Sequence, residues 1–168
     1  YAFYGCDALK EVKFTPSSQD LTFGKEVFCY CTALTAFTFP KNLVSMGEGT
    51  FDCCESLTTV EFDGSPAALK TIPRNTFASC KSLERITLPD GVEALGIGVF
   101  YNCPSLTEVN FGKGFTSLGD DYTVFGSNMP NLKKLTFPGP NYPFKRSYSI
   151  PTLVPTLYVH PDLVNTYR

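Results

Sequence analysis

A coiled array of short parallel strands with little helix is the fold class this sequence predicts, and three observations predict it. The first is a block of the form F-x-x-C-x-x-L-x-x-φ-x-φ, where φ is apolar, returning along most of the chain. It reads FYGCDALKEVKF at 3–14, FCYCTALTAFTF at 28–39, FDCCESLTTVEF at 51–62, FASCKSLERITL at 77–88 and FYNCPSLTEVNF at 100–111. At 125–137 it returns as FGSNMPNLKKLTF, one residue longer and without the cysteine. The leading residues Phe3, Phe28, Phe51, Phe77, Phe100 and Phe125 are 25, 23, 26, 23 and 25 positions apart. Coils this short cannot bury their own apolar face, so each covers its neighbour and the interior becomes a set of side-chain ladders.

The second observation is alternation at the end of each block, as in Leu106, Val109 and Phe111. Period two with Val, Phe and Thr predicts a strand, and stacked strands of successive coils then lie ~4.8 Å apart. Pro40, Pro89 and Pro138 directly follow a block and stop the ladder there. The stretch before the cysteine has room for one helical or 3₁₀ turn and no more. The third observation is a half-motif between the blocks, LTFGKEVF, LVSMGEGTF, LKTIPRNTF, VEALGIGVF and FTSLGDDYTVF. Apolar residues, then Gly or Pro, then the next Phe, give a second short apolar segment and a corner. The repeats are expected at about 1–25, 26–48, 49–74, 75–97, 98–122 and 123–138, within one domain of 1–168. Residues 139–168 form an irregular insert and C-terminal cap.

Bulk properties narrow the function classes. The chain has 168 residues, 43% of them hydrophobic, enough for one domain with a real core. A net charge of −2 without clustered Lys and Arg gives no footprint for nucleic acid. No run approaches the roughly 20 apolar residues of a membrane-spanning helix, so direct membrane insertion is not expected of this segment. Tyr1 opens the chain without Met or a basic stretch, as in a processed or trimmed piece. Tyr1-Ala2-Phe3 aligns with Val27-Phe28, inside a repeat, so the natural chain is expected to extend upstream.

Seven cysteines pose the sharpest chemical question. Cys6, Cys31, Cys54, Cys80 and Cys103 hold one repeat position, whereas a catalytic thiol is needed once and beside a histidine. The single histidine, His160, lies outside the array, and one histidine nearly excludes a His-based zinc site. Cys29-Tyr-Cys31 and Cys53-Cys54 lack the spacing of zinc ribbons. Stacked cysteines come within bridging range, but in-register side chains run parallel and an odd number leaves one over. The ladder cysteines therefore read as small apolar filler in the set Phe28, Cys31, Leu34; Phe51, Cys54, Leu57; Phe77, Cys80, Leu83; and Phe100, Cys103, Leu106. Cys29 and Cys53, off the ladder, are candidates for exposure or a local pairing. No catalytic motif, metal site or cofactor motif is present: there is no G-x-S-x-G and no phosphate-cradling glycine loop.

The cores Phe28-Cys31-Leu34 and Phe77-Cys80-Leu83-Ile86 carry a resemblance that covers nearly the whole chain. They resemble the BspA-type leucine-rich repeats of bacterial surface proteins. The ending TLYVHPDLVNTYR, 156–168, is similar to the closing segment of such arrays, a last strand before a turn and a short helix. The resemblance implies a right-handed leucine-rich repeat solenoid of about six coils. It further implies an extracellular or cell-surface, non-enzymatic adhesion module whose partner is a protein or glycan on a host or neighbouring cell. A structural spacer without a ligand of its own is the alternative.

Two regions are candidates for contact. Residues between the core positions of each strand point outward. One row is Lys13, Thr38, Glu61, Thr87, Asn110 and Thr136; its neighbour is Glu11, Ala36, Thr59, Arg85, Glu108 and Lys134. A solvated sheet face is the plain alternative for these rows. The insert at 138–156 carries Tyr142, Phe144, Lys145, Arg146 and Tyr148 among five prolines, and it serves either as a cap or as a contact surface. Asp120-Asp121 is a weaker candidate, because the spacing of a calcium loop is lacking.

Overall fold

The computed structural model describes residues 1–64, 66–118, 124–126, 129–140 and 156–162. The chain winds as a β-solenoid. Its strands are β1 (Leu21–Thr22), β2 (Ala36–Phe39), β3 (Leu43–Ser45), β4 (Thr59–Phe62), β5 (Thr71–Ile72), β6 (Arg85–Thr87), β7 (Ala94–Leu95), β8 (Glu108–Asn110), β9 (Lys134–Phe137) and β10 (Thr156–Val159). Every pairing among them is parallel. Each coil has three sides: a strand side from the block's end, a second side from the half-motif, and a turn side around the leading Phe. The insert candidates Tyr142, Phe144, Lys145, Arg146 and Tyr148, the Asp120-Asp121 pair and the helix expected near the C-terminus lie outside the described residues.

The turn side is held by a ladder of its own. In the coil of Phe28, the amides of Glu26, Phe28 and Tyr30 donate to the carbonyls of Glu48, Thr50 and Asp52 in the next coil, each at 2.9 Å. Gly49, Phe51 and Cys53 repeat this to Arg74, Thr76 and Ala78, and Asn75, Phe77 and Ser79 to Ile97, Val99 and Tyr101. To aim every second amide the same way around a corner, the chain enters the left-handed region at two fixed places per coil. Two residues before the Phe these are Glu26, Gly49, Asn75 and Gly98; two after it they are Gly5, Tyr30, Cys53, Ser79 and Asn102, with φ between 52° and 69°. Glycine and asparagine suit this backbone; Glu26, Tyr30 and Cys53 adopt it against their side-chain preference because the ladder demands it. Four residues before the Phe the coils touch: a Cβ at Gly96 would lie 2.5 Å from the Arg74 nitrogen. Close approach, rather than a positive φ, explains that glycine of the half-motif.

Inside, the leading phenylalanines stack in one column. Phe28 and Phe51 lie 5.3 Å apart, Phe51 and Phe77 5.8 Å, Phe77 and Phe100 6.0 Å, and Phe100 and Phe125 5.8 Å, with nearly parallel rings. Leu34, Leu57, Leu83 and Leu106 are fully buried beside them. From Phe28 onward the residue before each leading Phe is β-branched: Val27, Thr50, Thr76, Val99 and Val124. Thr50 and Thr76 are fully buried and return their hydroxyls to the carbonyls of Gly47 and Pro73 at 2.7 Å, so neither buries an unpaired group.

The cysteines do more than fill space. Cys31, Cys54, Cys80 and Cys103 are fully buried. Their Sγ atoms donate to the carbonyls of Phe3, Phe28, Phe51 and Phe77, one coil back, at 3.2, 3.1, 3.4 and 3.1 Å. The carbonyls of Phe3, Phe28, Phe51 and Phe77 also accept the amides of Cys6, Cys31, Cys54 and Cys80 of their own coils. One oxygen thus ties two coils through both lone pairs, and a thiol is the small group that both packs as an apolar residue and donates. Burial pushes the Cys103 thiol up to about 12. All seven cysteines are free thiols. Cys29 is buried and Cys53 half-buried, its Sγ 3.5 Å from the Asp52 carboxylate.

Two features depart from the sequence expectations. The block at 10–14 forms no strand, although Val12 and Phe14 pack partly against the core. The strand side, expected as one continuous sheet, is two: β2-β4 and β10-β9-β8-β6. The split falls between β4 and β6, which lie side by side without joining one ladder. Its cause is the corner of that coil. Six residues, 63–68, connect Phe62 to Leu69, whereas three connect Phe39 to Leu43, Leu88 to Val92 and Phe111 to Phe115. The second side breaks beside the same corner, since β3 pairs with β1 and β5 with β7, but β3 and β5 do not pair. The turn ladder continues across it unbroken.

Candidate functional site

Register fixes the outward rows of the strand side. Ala36 faces Thr59 and Thr38 faces Glu61 across β2 and β4. Beyond the split, Arg85, Glu108, Lys134 and Thr156 form one row, and Thr87, Asn110, Thr136 and Tyr158 the other. The alternation that buries Phe37, Val60, Ile86, Val109 and Leu135 turns these residues out. Thr38, Glu61, Arg85 and Thr87 are exposed, and Glu108, Asn110 and Lys134 half-buried. Glu11 and Lys13 are exposed and pair with each other at 3.1 Å, on a stretch without strand pairing.

The rows on β8 to β10 form a linked network. Lys134 Nζ and Asn110 Nδ2 both donate to Glu108 Oε1, at 2.7 and 2.9 Å. Asn110 Nδ2 also reaches Thr87 Oγ1 at 3.4 Å. Lys134 Nζ stands 5.0 Å from the centre of the Tyr158 ring. Hydrogen bonds from Lys134 and Asn110, with the positive charges of Lys134 and Arg85, hold the Glu108 carboxyl below its usual range. Tyr158 was not among the sequence candidates. The alternation in TLYV carried the signal, but only the pairing of β10 with β9 places that ring beside Lys134.

A groove of about 990 Å³ runs along β4 and β6 to the edge of that network, lined by Glu61, Glu84, Arg85, Asp90, Glu108 and Asn110. A second groove, of about 810 Å³, adjoins it through Glu61 and Phe62 and reaches back to Lys13 and Lys41. Glu84 and Asp90 escaped sequence reasoning, because neither sits in an outward row. Among the described residues no cluster of His, Cys, Asp and Glu has the makings of a metal site, and no helix is long and apolar enough to cross a membrane.

The fold has solved relatives. A leucine rich cell surface protein from Faecalibacterium prausnitzii A2-165 is similar at 25% identity and a TM-score of 0.64, over 70% of this chain and 30% of its own. The leucine-rich repeat protein of T. pallidum matches at 23% identity and a TM-score of 0.52, over 80% of this chain and 73% of its own. The pneumococcal vaccine antigen PcpA matches at 20% identity and a TM-score of 0.55, over 84% of this chain and 43% of its own. This chain therefore spans under a third of the first of these proteins. No curated protein matches it. Residues 1–133 match the BspA type leucine rich repeat region in six copies, and the chain belongs to that family.

Proposed function

We propose that this chain is a non-enzymatic interaction module of a bacterial cell-surface protein, engaging a macromolecule on a host or neighbouring cell through its strand side. One observation carries the reading. The positions that hold the coils together repeat with little change, whereas the outward strand rows change residue from coil to coil, from Thr38 to Glu61 to Thr87 to Asn110. Stacking does not require those side chains, and a varied row on a rigid frame is what selective contact needs. The surface location of a structural relative supports the setting.

The test is capture of extracellular-matrix proteins and glycans by the purified chain, beside a variant with Glu61→Gln, Arg85→Ala and Glu108→Gln. Saturable capture lost in the variant, with the melting temperature unchanged, supports the module. Capture that survives the variant moves the contact off the strand side. A chain that captures nothing fits a structural spacer presenting another domain.

A further inference from the structure

The outward face of β6, β8 and β9 sets opposite hydrogen-bonding characters side by side. Arg85, Glu108 and Lys134 stand in register across these strands, so donor, acceptor and donor follow at the ~4.8 Å spacing of the coils. Lys134 and Asn110 both donate to Glu108 Oε1, which leaves Oε2 to accept from outside. Asn110 directs its amide nitrogen at Glu108 and Thr87, which leaves its Oδ1 as a second acceptor. Glu108, Asn110 and Lys134 hold one another in place before any ligand arrives, so contact costs them little rotamer freedom. Arg85 is exposed and in no ion pair among the described residues. Two further features border the row. At one end the Tyr158 ring is 51% exposed and braced by Lys134 Nζ, 5.0 Å from its centre. At the other, the groove of about 990 Å³ carries the face past Arg85 to Glu61, Glu84 and Asp90, with the volume of a large small-molecule site.

The charge pattern selects a neutral occupant. An anion drawn to Arg85 and Lys134 meets Glu108 between them. A cation drawn to Glu61, Glu84 and Glu108 meets Arg85 within the same lining. A hydroxyl both donates and accepts, so an uncharged polyol matches every member of the row. Its bonds to the carboxylate and the guanidinium are charge-assisted and therefore the stronger kind. A sugar ring adds an apolar C–H face, which suits the electron-rich face of an exposed tyrosine.

We infer that this face docks a neutral oligosaccharide, one ring lying against Tyr158 and the hydroxyls of the following rings meeting Glu108, Asn110 and Arg85. The inference rests on the module reading and narrows its partner class to a glycan. The probes are neutral tetrasaccharides of glucose, mannose and N-acetylglucosamine, titrated into the chain by calorimetry. Saturable binding of at least one is expected, weakened about tenfold by Tyr158→Ala and by Glu108→Gln at unchanged melting temperature. Tyr158→Phe, which keeps the ring, should bind nearly as well. Glu48→Gln, on a carboxylate paired with Lys25, should leave binding unchanged. Because the ligand carries no charge, its affinity should hold within about twofold from low to high salt. Absence of saturable binding by every probe overturns the inference. So does binding that Tyr158→Ala leaves intact, or an affinity that collapses in salt, which marks a charged partner. A chain that captures surface proteins through its strand side but leaves all the tetrasaccharides free sinks the glycan and keeps the module.

Discussion

The turn side and the strand side of this solenoid meet the same requirement, joining each coil to the next, in opposite ways. On the turn side the amide ladder, the phenylalanine column and the thiol bonds run through the coil of Phe51 without interruption. On the strand side the ladder stops at that coil, between β4 and β6. The difference teaches where cohesion resides. A coil corner that grows from three residues to six breaks the strand ladder and leaves the turn ladder intact. The outward rows of the strand side are thereby free to vary, which is where the proposed function places contact.

The largest expected effect tests the turn side. Phe77→Ala removes a fully buried ring from between Phe51 and Phe100 and should cost about 3–5 kcal/mol in chemical denaturation. Thr87→Ala on the strand side should stay within about 0.5 kcal/mol. Equal losses at the two sites would erase the contrast.

The thiol comes next. Cys80→Val conserves bulk but loses the donor to Phe51, and should cost about 1–2 kcal/mol; Cys80→Ser, which keeps a donor, should cost less. The reverse order would restore the plain filler reading. pH probes the same ladder. Cys103 has its pKa raised from 9.0 to about 12 by burial, so folding favours the protonated thiol. Its contribution is complete below pH 9 and is lost as pH rises toward about 12, so the melting temperature should fall across that window. A native protein titrated with a thiol reagent at neutral pH should react first at Cys6, the exposed thiol, and at the ladder thiols only after unfolding.

Smaller still is the corner strain. Glu26→Gly relieves a non-glycine residue at φ 52° and should stabilise by about 0.5–1 kcal/mol, read as a rise in melting temperature. The smallest effect is expected of Lys70→Ala. It breaks an exposed 2.8 Å pair with Glu93 and should move stability by less than about 0.5 kcal/mol.

Much of this was legible beforehand because a repeat prints its own geometry. The spacing of Phe, Cys and Leu announced stacked coils, and the alternation in AFTF or KLTF announced strands and their outward rows. The thiol bonds were not legible, since a cysteine at a repeat position reads alike whether it fills or donates. Nor was the strand missing at 10–14, where KEVKF alternates as well as its counterparts but gains no ladder partner.

By itself the sequence determined the coil, because each coil's pattern is local and identical patterns stack only in register. The tertiary structure alone decided three things: where that register fails, that Tyr158 comes to stand beside Lys134, and that Glu61 and Glu84 come to share a groove. The reason is physical. These depend on how much backbone a corner consumes and on which coil lies next to which, and neither is written in any single repeat.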